Sequence, residues 1–235
     1  MTDQIDSRPE FGSPLDFAVD QQSRITMATV RRAVSRGDAV LAFQPVVQAD
    51  RTETAAFHEG LIRIIDETGR IVPLLGLKAL AEEPSIRLSI NMSARSIGYP
   101  AWLQTLRAGI AEDERVAERL ILEITESSAM GMPELVGRFM QELQAHGVSF
   151  ALDDFGAGYT SFRYLRDFCF DMIKIDGQFI RDIAQQRDNQ VLTRALQAIA
   201  HHFDMFTVAE SVETAEDAAF LIDMGIDCLQ GFYFG

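Results

Sequence analysis

Acidic and amide side chains recur at the ends of short apolar runs along the chain. Glu59 lies inside the run 55–64, and Asn91 ends the run 87–91. Glu123 falls near the end of 120–124, and Asp153 and Asp154 follow 148–152. Lys174 and Asp176 close 172–175, Glu210 follows 206–209, and Gln230 lies within 227–234. Clusters of Glu, Asp and Asn oxygens suit hard divalent cations such as Mg²⁺ or Mn²⁺. Adjacent aspartates such as Asp153 and Asp154 repel each other on a buried strand end unless positive charge lies beside them. Zinc fits less well, because His58, His146, His201 and His202 form no ligand pattern. His58 adjoins Glu59, but alternation along a strand points it to the opposite face.

For these residues to meet, the apolar runs must be strands of one sheet with a common rim. The runs are 40–47, 55–64, 87–91, 120–124, 148–152, 172–175, 206–209 and 227–234. Segments with helical periodicity separate most of them, at 102–111, 133–145, 159–168, 191–202 and 215–224. Gly147 and Gly225 stand where a helix ends just before a strand. Eight strands alternating with helices predict an α/β fold, either a TIM-like (β/α)8 barrel or a doubly wound sheet. No GxGxxG follows the first strand, which favours the barrel. In such a barrel the strand ends converge on one rim and build the active site there. The connection between residues 72 and 87 holds only 14 residues, barely one short helix, so either the barrel is abbreviated after the second strand or a segment is missing there.

The chain has 235 residues, 47% of them hydrophobic and 24% charged, enough for one large core. A net charge of −14 lacks the counter-charge that DNA and anionic membranes require, so a DNA-binding role is not expected. Metal ions could still neutralise a local phosphate site. No apolar run approaches the roughly 20 residues needed to span a bilayer, and membrane insertion is not expected. The N-terminus lacks signal-peptide blocks, and Cys169 and Cys228 form no paired motif; the cytoplasm is the expected location. Residues 1–20 read as a polar leader or linker, residues 21–35 as a helix, and 21–235 as the barrel domain.

The same residues carry a family resemblance. Phe57-His58-Glu59-Gly60-Leu61-Ile62-Arg63 resembles the signature of EAL domains, with Gly in place of Ala. Ser89-Ile90-Asn91-Met92-Ser93, Leu122-Glu123-Ile124-Thr125-Glu126 and Asp153-Asp154-Phe155-Gly156-Ala157-Gly158 are similar to further motifs of that family. Lys174-Ile175-Asp176, Ala209-Glu210-Ser211-Val212-Glu213 and Leu229-Gln230-Gly231 complete the set in the family's order. The resemblance runs from about residue 41 to residue 234. It implies hydrolysis of cyclic di-GMP to linear pGpG at a two-metal site holding Mg²⁺ or Mn²⁺.

Carried over by position, Glu59, Asn91, Glu123 and Asp153 would hold one metal. Asp153 would bridge to a second, shared with Asp154 and Glu210. Lys174 would contact the attacking water or the phosphate, with Asp176 as its partner. Glu126 would anchor the loop from residue 153 to 161. Gln44, Arg63 and Gln230 would grip the ligand, Arg63 through a forked guanidinium. Relatives usually carry a longer segment after the second strand and continue past the last one, and many form homodimers. The alternative function is a non-catalytic cyclic di-GMP receptor that regulates a partner, and a third is a barrel hydrolase for another phosphoester.

Overall fold

A computed structural model gives the architecture and describes residues 39–64, 73–157 and 165–235. The expected leader, the helix at 21–35 and most of the helix at 159–168 lie outside the described residues. The chain divides into two compact units, residues 1–40 with 62–70, and residues 41–61 with 71–235.

Eight strands are hydrogen-bonded in sequence order into a closed barrel. They are β1 (Ala39–Gln48), β2 (Arg51–Ile64), β3 (Leu88–Met92) and β4 (Leu120–Thr125), then β5 (Ser149–Phe155), β6 (Met172–Ile175), β7 (Phe206–Ala209) and β8 (Cys228–Leu229). The TIM-like α/β barrel expected from the alternation is the observed fold. Strands β2 to β8 are parallel neighbours. β1 departs from that rule and pairs antiparallel with β8, with Val47 opposite Leu229. The physical reason is the connection: two residues, Ala49 and Asp50, separate β1 from β2. So short a link closes a hairpin and cannot make a parallel crossover.

β8 is also much shorter than the expected run to residue 234. After Leu229 the chain turns towards the loop that follows β7. Gln230 O accepts from Val212 N at 3.0 Å, and Val212 O accepts from Tyr233 N at 3.1 Å. Gly231, at φ 159°, permits this approach, because a Cβ there would collide with the Val212 backbone.

Among the described residues five longer helices pack outside the barrel: α1 (Pro73–Glu82), α2 (Pro100–Glu112), α3 (Pro133–Gln144), α4 (Arg187–His202) and α5 (Ala215–Met224). α3 shows the helical period, burying Val136, Phe139, Met140 and Leu143 on one stripe. α5 ends at Gly225 in the left-handed conformation, as the sequence predicts. α1 occupies the short connection before β3, and Arg119 ties it down. The Arg119 guanidinium donates to Leu80 O at 2.7 Å, Glu83 O at 3.0 Å and Ile86 O at 3.1 Å. Those carbonyls belong to the end of α1 and the loop after it, where no intrahelical donor serves them.

Strand alternation sorts the core into two layers. Outward residues such as Leu88, Ile90, Leu120, Leu122, Phe150, Leu152, Ile173 and Ile175 pack against the helices. Inward residues Val46, Phe57, Ile121, Ala151, Met172 and Val208 form a separate apolar plug. Five of the six stand two positions before a proposed site residue: Glu59, Glu123, Asp153, Lys174 or Glu210. The plug is therefore the floor of the site.

Candidate active site

Glu59 on β2, Asn91 on β3, Glu123 on β4, Asp153 on β5 and Lys174 on β6 share the inward parity above the plug. Glu210 and Gln230 follow β7 and β8 directly. Lys174 is buried and stands at the centre. Its Nζ lies 2.7 Å from Glu210 Oε1, 2.9 Å from Glu123 Oε2, 3.3 Å from Glu59 Oε2 and 3.4 Å from Asp153 Oδ1. The structure thus brings together carboxylates separated by as much as 151 positions in sequence, from Glu59 to Glu210.

The remaining polar groups orient these carboxylates. Asn91 Nδ2 donates to Glu59 Oε1 at 2.6 Å, and Gln230 Nε2 donates to Glu59 Oε2 at 2.6 Å. Gln230 Nε2 also reaches Gln44 Oε1 at 3.2 Å, so the antiparallel β1 still delivers Gln44 to the site. Arg63 lies near the end of β2, and its side chain falls outside the described residues. Glu126 Oε2 accepts from Gly156 N at 3.3 Å, tying the start of the loop after β5 to β4. Asp176 caps a short helix, accepting from Gln178 N at 2.7 Å. His58 packs edge-on against Phe43, on the face opposite Glu59, as alternation predicts.

Strict alternation would point Asp153 and Asp154 to opposite faces. A register shift between Leu152 and Phe155 interrupts the β5–β6 ladder there. Asp154 also takes φ 56°, a left-handed conformation uncommon for residues other than glycine. As a result, carboxylate oxygens of Asp153, Asp154 and Glu210 all lie within 4.8 Å of one another. Ser211, next to Glu210, is at φ 57°. Backbone strain of this kind persists where the surroundings enforce it, often at functional sites.

Electrostatics set the protonation of the cluster. Burial, the largest influence on Lys174, works against its charge. The carboxylates of Glu123, Glu210, Asp153 and Glu59 outweigh it and hold the ammonium well above its ordinary pKa. Burial pushes Glu123 up to about 7 against the pull of Lys174, with Glu59 and Asp153 adding to the rise. Glu210 is likewise raised to about 7 by burial, opposed by Lys174 and reinforced by Asp153. Asp154 is raised by burial, Asp153 and Asp176. Glu59 is lowered, because Lys174 and the hydrogen bonds from Gln230, Lys174 and Asn91 together outweigh its burial.

The donor set fits hard divalent cations. Four carboxylates contact the Lys174 ammonium and Asp154 stands beside them, leaving four negative charges unmatched if all five ionise. Glu123 Oε1 is buried and receives no hydrogen bond, and Asp153 Oδ1, also without one, has only the Lys174 ammonium at 3.4 Å. Such orphaned acceptors are costly unless a cation serves them. Two divalent ions would supply four positive charges to this oxygen-rich set. Ser89 opens one of the quoted motifs but carries no role of its own in the sequence; it is fully buried on β3 beside Glu59 and Ile121. Its position two residues before Asn91 was the signal available.

Comparison with known proteins bears on the family and the fold. The profile of the EAL domain family matches residues 74–235. Cyclic di-GMP phosphodiesterase PdeR of Escherichia coli (strain K12) is 36% identical over 150 residues, covering 64% of this chain and 23% of that protein. Cyclic di-GMP phosphodiesterase NbdA of Pseudomonas aeruginosa is 35% identical over 156 residues, covering 66% of this chain and 20% of that protein. A PaMucR phosphodiesterase structure in complex with c-di-GMP has a TM-score of 0.76 at 28% identity, covering 89% of this chain and 96% of that one. This chain spans only 35%, 29% and 34% of three other curated relatives. With seven motifs, the barrel and the profile in agreement, the chain belongs to the EAL domain family.

Proposed function

We propose that this chain hydrolyses cyclic di-GMP to linear pGpG with the help of two Mg²⁺ or Mn²⁺ ions. The observation that carries the reading is the ring of carboxylates around buried Lys174, with unmatched charge and an orphaned acceptor, Glu123 Oε1, within it. The phosphodiesterase relatives support the substrate class. Glu59, Asn91, Glu123 and Asp153 would hold one ion, and Asp153, Asp154 and Glu210 the other. Ions at these positions supply an activated water and charge neutralisation at the leaving oxygen.

The chain's own residues do the positioning. Asn91 gives its amide N–H to Glu59, which leaves its carbonyl oxygen available as a ligand. Lys174 carries a fixed positive charge next to the reacting phosphate or water. Asp176 fixes the start of the helix beyond Lys174. Gln230 and Gln44, already hydrogen-bonded to each other, offer amide groups to the nucleotide. Glu126 holds Gly156 at the start of the loop after β5, and so would steady the Asp153 and Asp154 carboxylates at the end of that strand.

The reading is tested by Glu59→Ala, assayed with cyclic di-GMP in saturating Mn²⁺. Loss of at least about a hundredfold in kcat/KM, some 2.7 kcal/mol of transition-state stabilisation, is expected. Unchanged hydrolysis by that variant would overturn the first metal site. Tight nucleotide binding without turnover by the unsubstituted protein would mark a receptor instead.

A further inference from the structure

The floor of the barrel contains one residue that does not belong chemically. The plug under the site is built from Val46, Phe57, Ile121, Ala151, Met172 and Val208, all apolar. On β3 the equivalent position, two residues before Asn91, is Ser89. It is fully buried, and its Oγ makes no hydrogen bond. A buried hydroxyl without a partner costs about 1–3 kcal/mol, so a serine among hydrophobes calls for an explanation.

The neighbour that can use it is Glu123. Ser89 pairs with Ile121 across the β3–β4 ladder, while Asn91 pairs with Glu123 one step higher. The residue pairs therefore stack on the same inner face, with Ser89 diagonal to Glu123. Glu123 Oε2 takes the ammonium of Lys174 at 2.9 Å, whereas Glu123 Oε1 is the second unpartnered buried oxygen in this corner. The Ser89 hydroxyl is close enough to help hold Glu123 ionised, although the two atoms stop short of a completed hydrogen bond.

We propose that Ser89 is a positioning residue, whose hydroxyl donates to Glu123 from beneath and orients that carboxylate towards Lys174 and the first divalent ion. The proposal rests on the two-metal reading of the site above. Groups that orient a metal-binding side chain typically change metal affinity by about 10–100-fold when removed. Ser89 would act on Glu123 alone and would touch neither ion nor nucleotide.

The test uses the full chain. Ser89→Ala, Ser89→Thr and Ile121→Val are titrated with Mn²⁺ by calorimetry in the absence of nucleotide. Metal-free Ser89→Ala and the unsubstituted protein are also compared by crystallography. Ser89→Ala is expected to weaken Mn²⁺ binding about tenfold and to turn the Glu123 carboxylate away from Lys174. Ser89→Thr, which keeps the hydroxyl, recovers most of that affinity. Ile121→Val, which opens a void in the same plug but keeps the hydroxyl, leaves it unchanged. Wild-type affinity with an unmoved Glu123 in Ser89→Ala would overturn the proposal, and so would an equal loss in Ile121→Val. If the unsubstituted protein bound no Mn²⁺, the metal reading would fail, and the Glu123 orientation in the two crystals would still decide the role of Ser89.

Discussion

Lys174 is the pivot at the scale of single residues, because one ammonium serves four carboxylates in a buried site. Removing one partner of a buried ion pair costs about 3–5 kcal/mol, since the charges left behind stay unpaired. Lys174→Met should therefore lower the chemical-denaturation stability of the metal-free protein by about 3 kcal/mol at pH 8. Mn²⁺ should restore part of that loss, which denaturation with and without the ion would show. The same cluster dictates a pH dependence. Glu123 and Glu210 take up a proton near pH 7 in the folded protein, against an ordinary value of 4.5. Between those values the folded state binds more protons than the unfolded state, so metal-free stability falls as pH rises. Divalent ions compete with the same protons, and the thermal shift on adding Mn²⁺ is expected to be larger at pH 8 than at pH 5.5. A shift that shrinks with rising pH would contradict the carboxylate assignment.

The elements hold these residues in place, and the loops between strands decide how well. Arg119 is the clearest case, with three bonds to the carbonyls of α1 and the following loop. Arg119→Ala is expected to cost about 2 kcal/mol in urea unfolding, from the loss of charge-assisted bonds. Mn²⁺ affinity should be retained, because Arg119 stands outside the carboxylate ring.

Much of the site was legible in the sequence at this scale. Glu123, Asp153 and Lys174 end apolar strands, and period-two alternation alone places them above a core. Three features were not legible in the same way. The direction of β1 is invisible to alternation, which reads alike in either sense; the near-adjacency of the first two runs, with no helix between them, was the available signal. The short β8 was hidden because residues 232–234 are apolar, although Gly231 breaks the ladder before them. The convergence of Asp154 with Asp153 depends on a register shift and a positive φ that no residue type announces.

Across the whole molecule, the charge of −14 and the buried acidic ring point to different partners. A net charge of −14 opposes the approach of polyanions, while under the proposed function the ring, once neutralised by cations, would receive a small anionic dinucleotide. Among the described residues, no helix is long and apolar enough to cross a membrane. Under the proposed function metal binding and hydrolysis should stand or fall together, because the groups that would bind the ions are those that balance Lys174. The most direct measurement is product analysis after incubating the purified chain with cyclic di-GMP and Mn²⁺, with an EDTA-treated sample alongside. Linear pGpG formed with Mn²⁺ and absent with EDTA is the predicted result. Intact cyclic di-GMP in both samples, or equal hydrolysis in both, would contradict a two-metal phosphodiesterase.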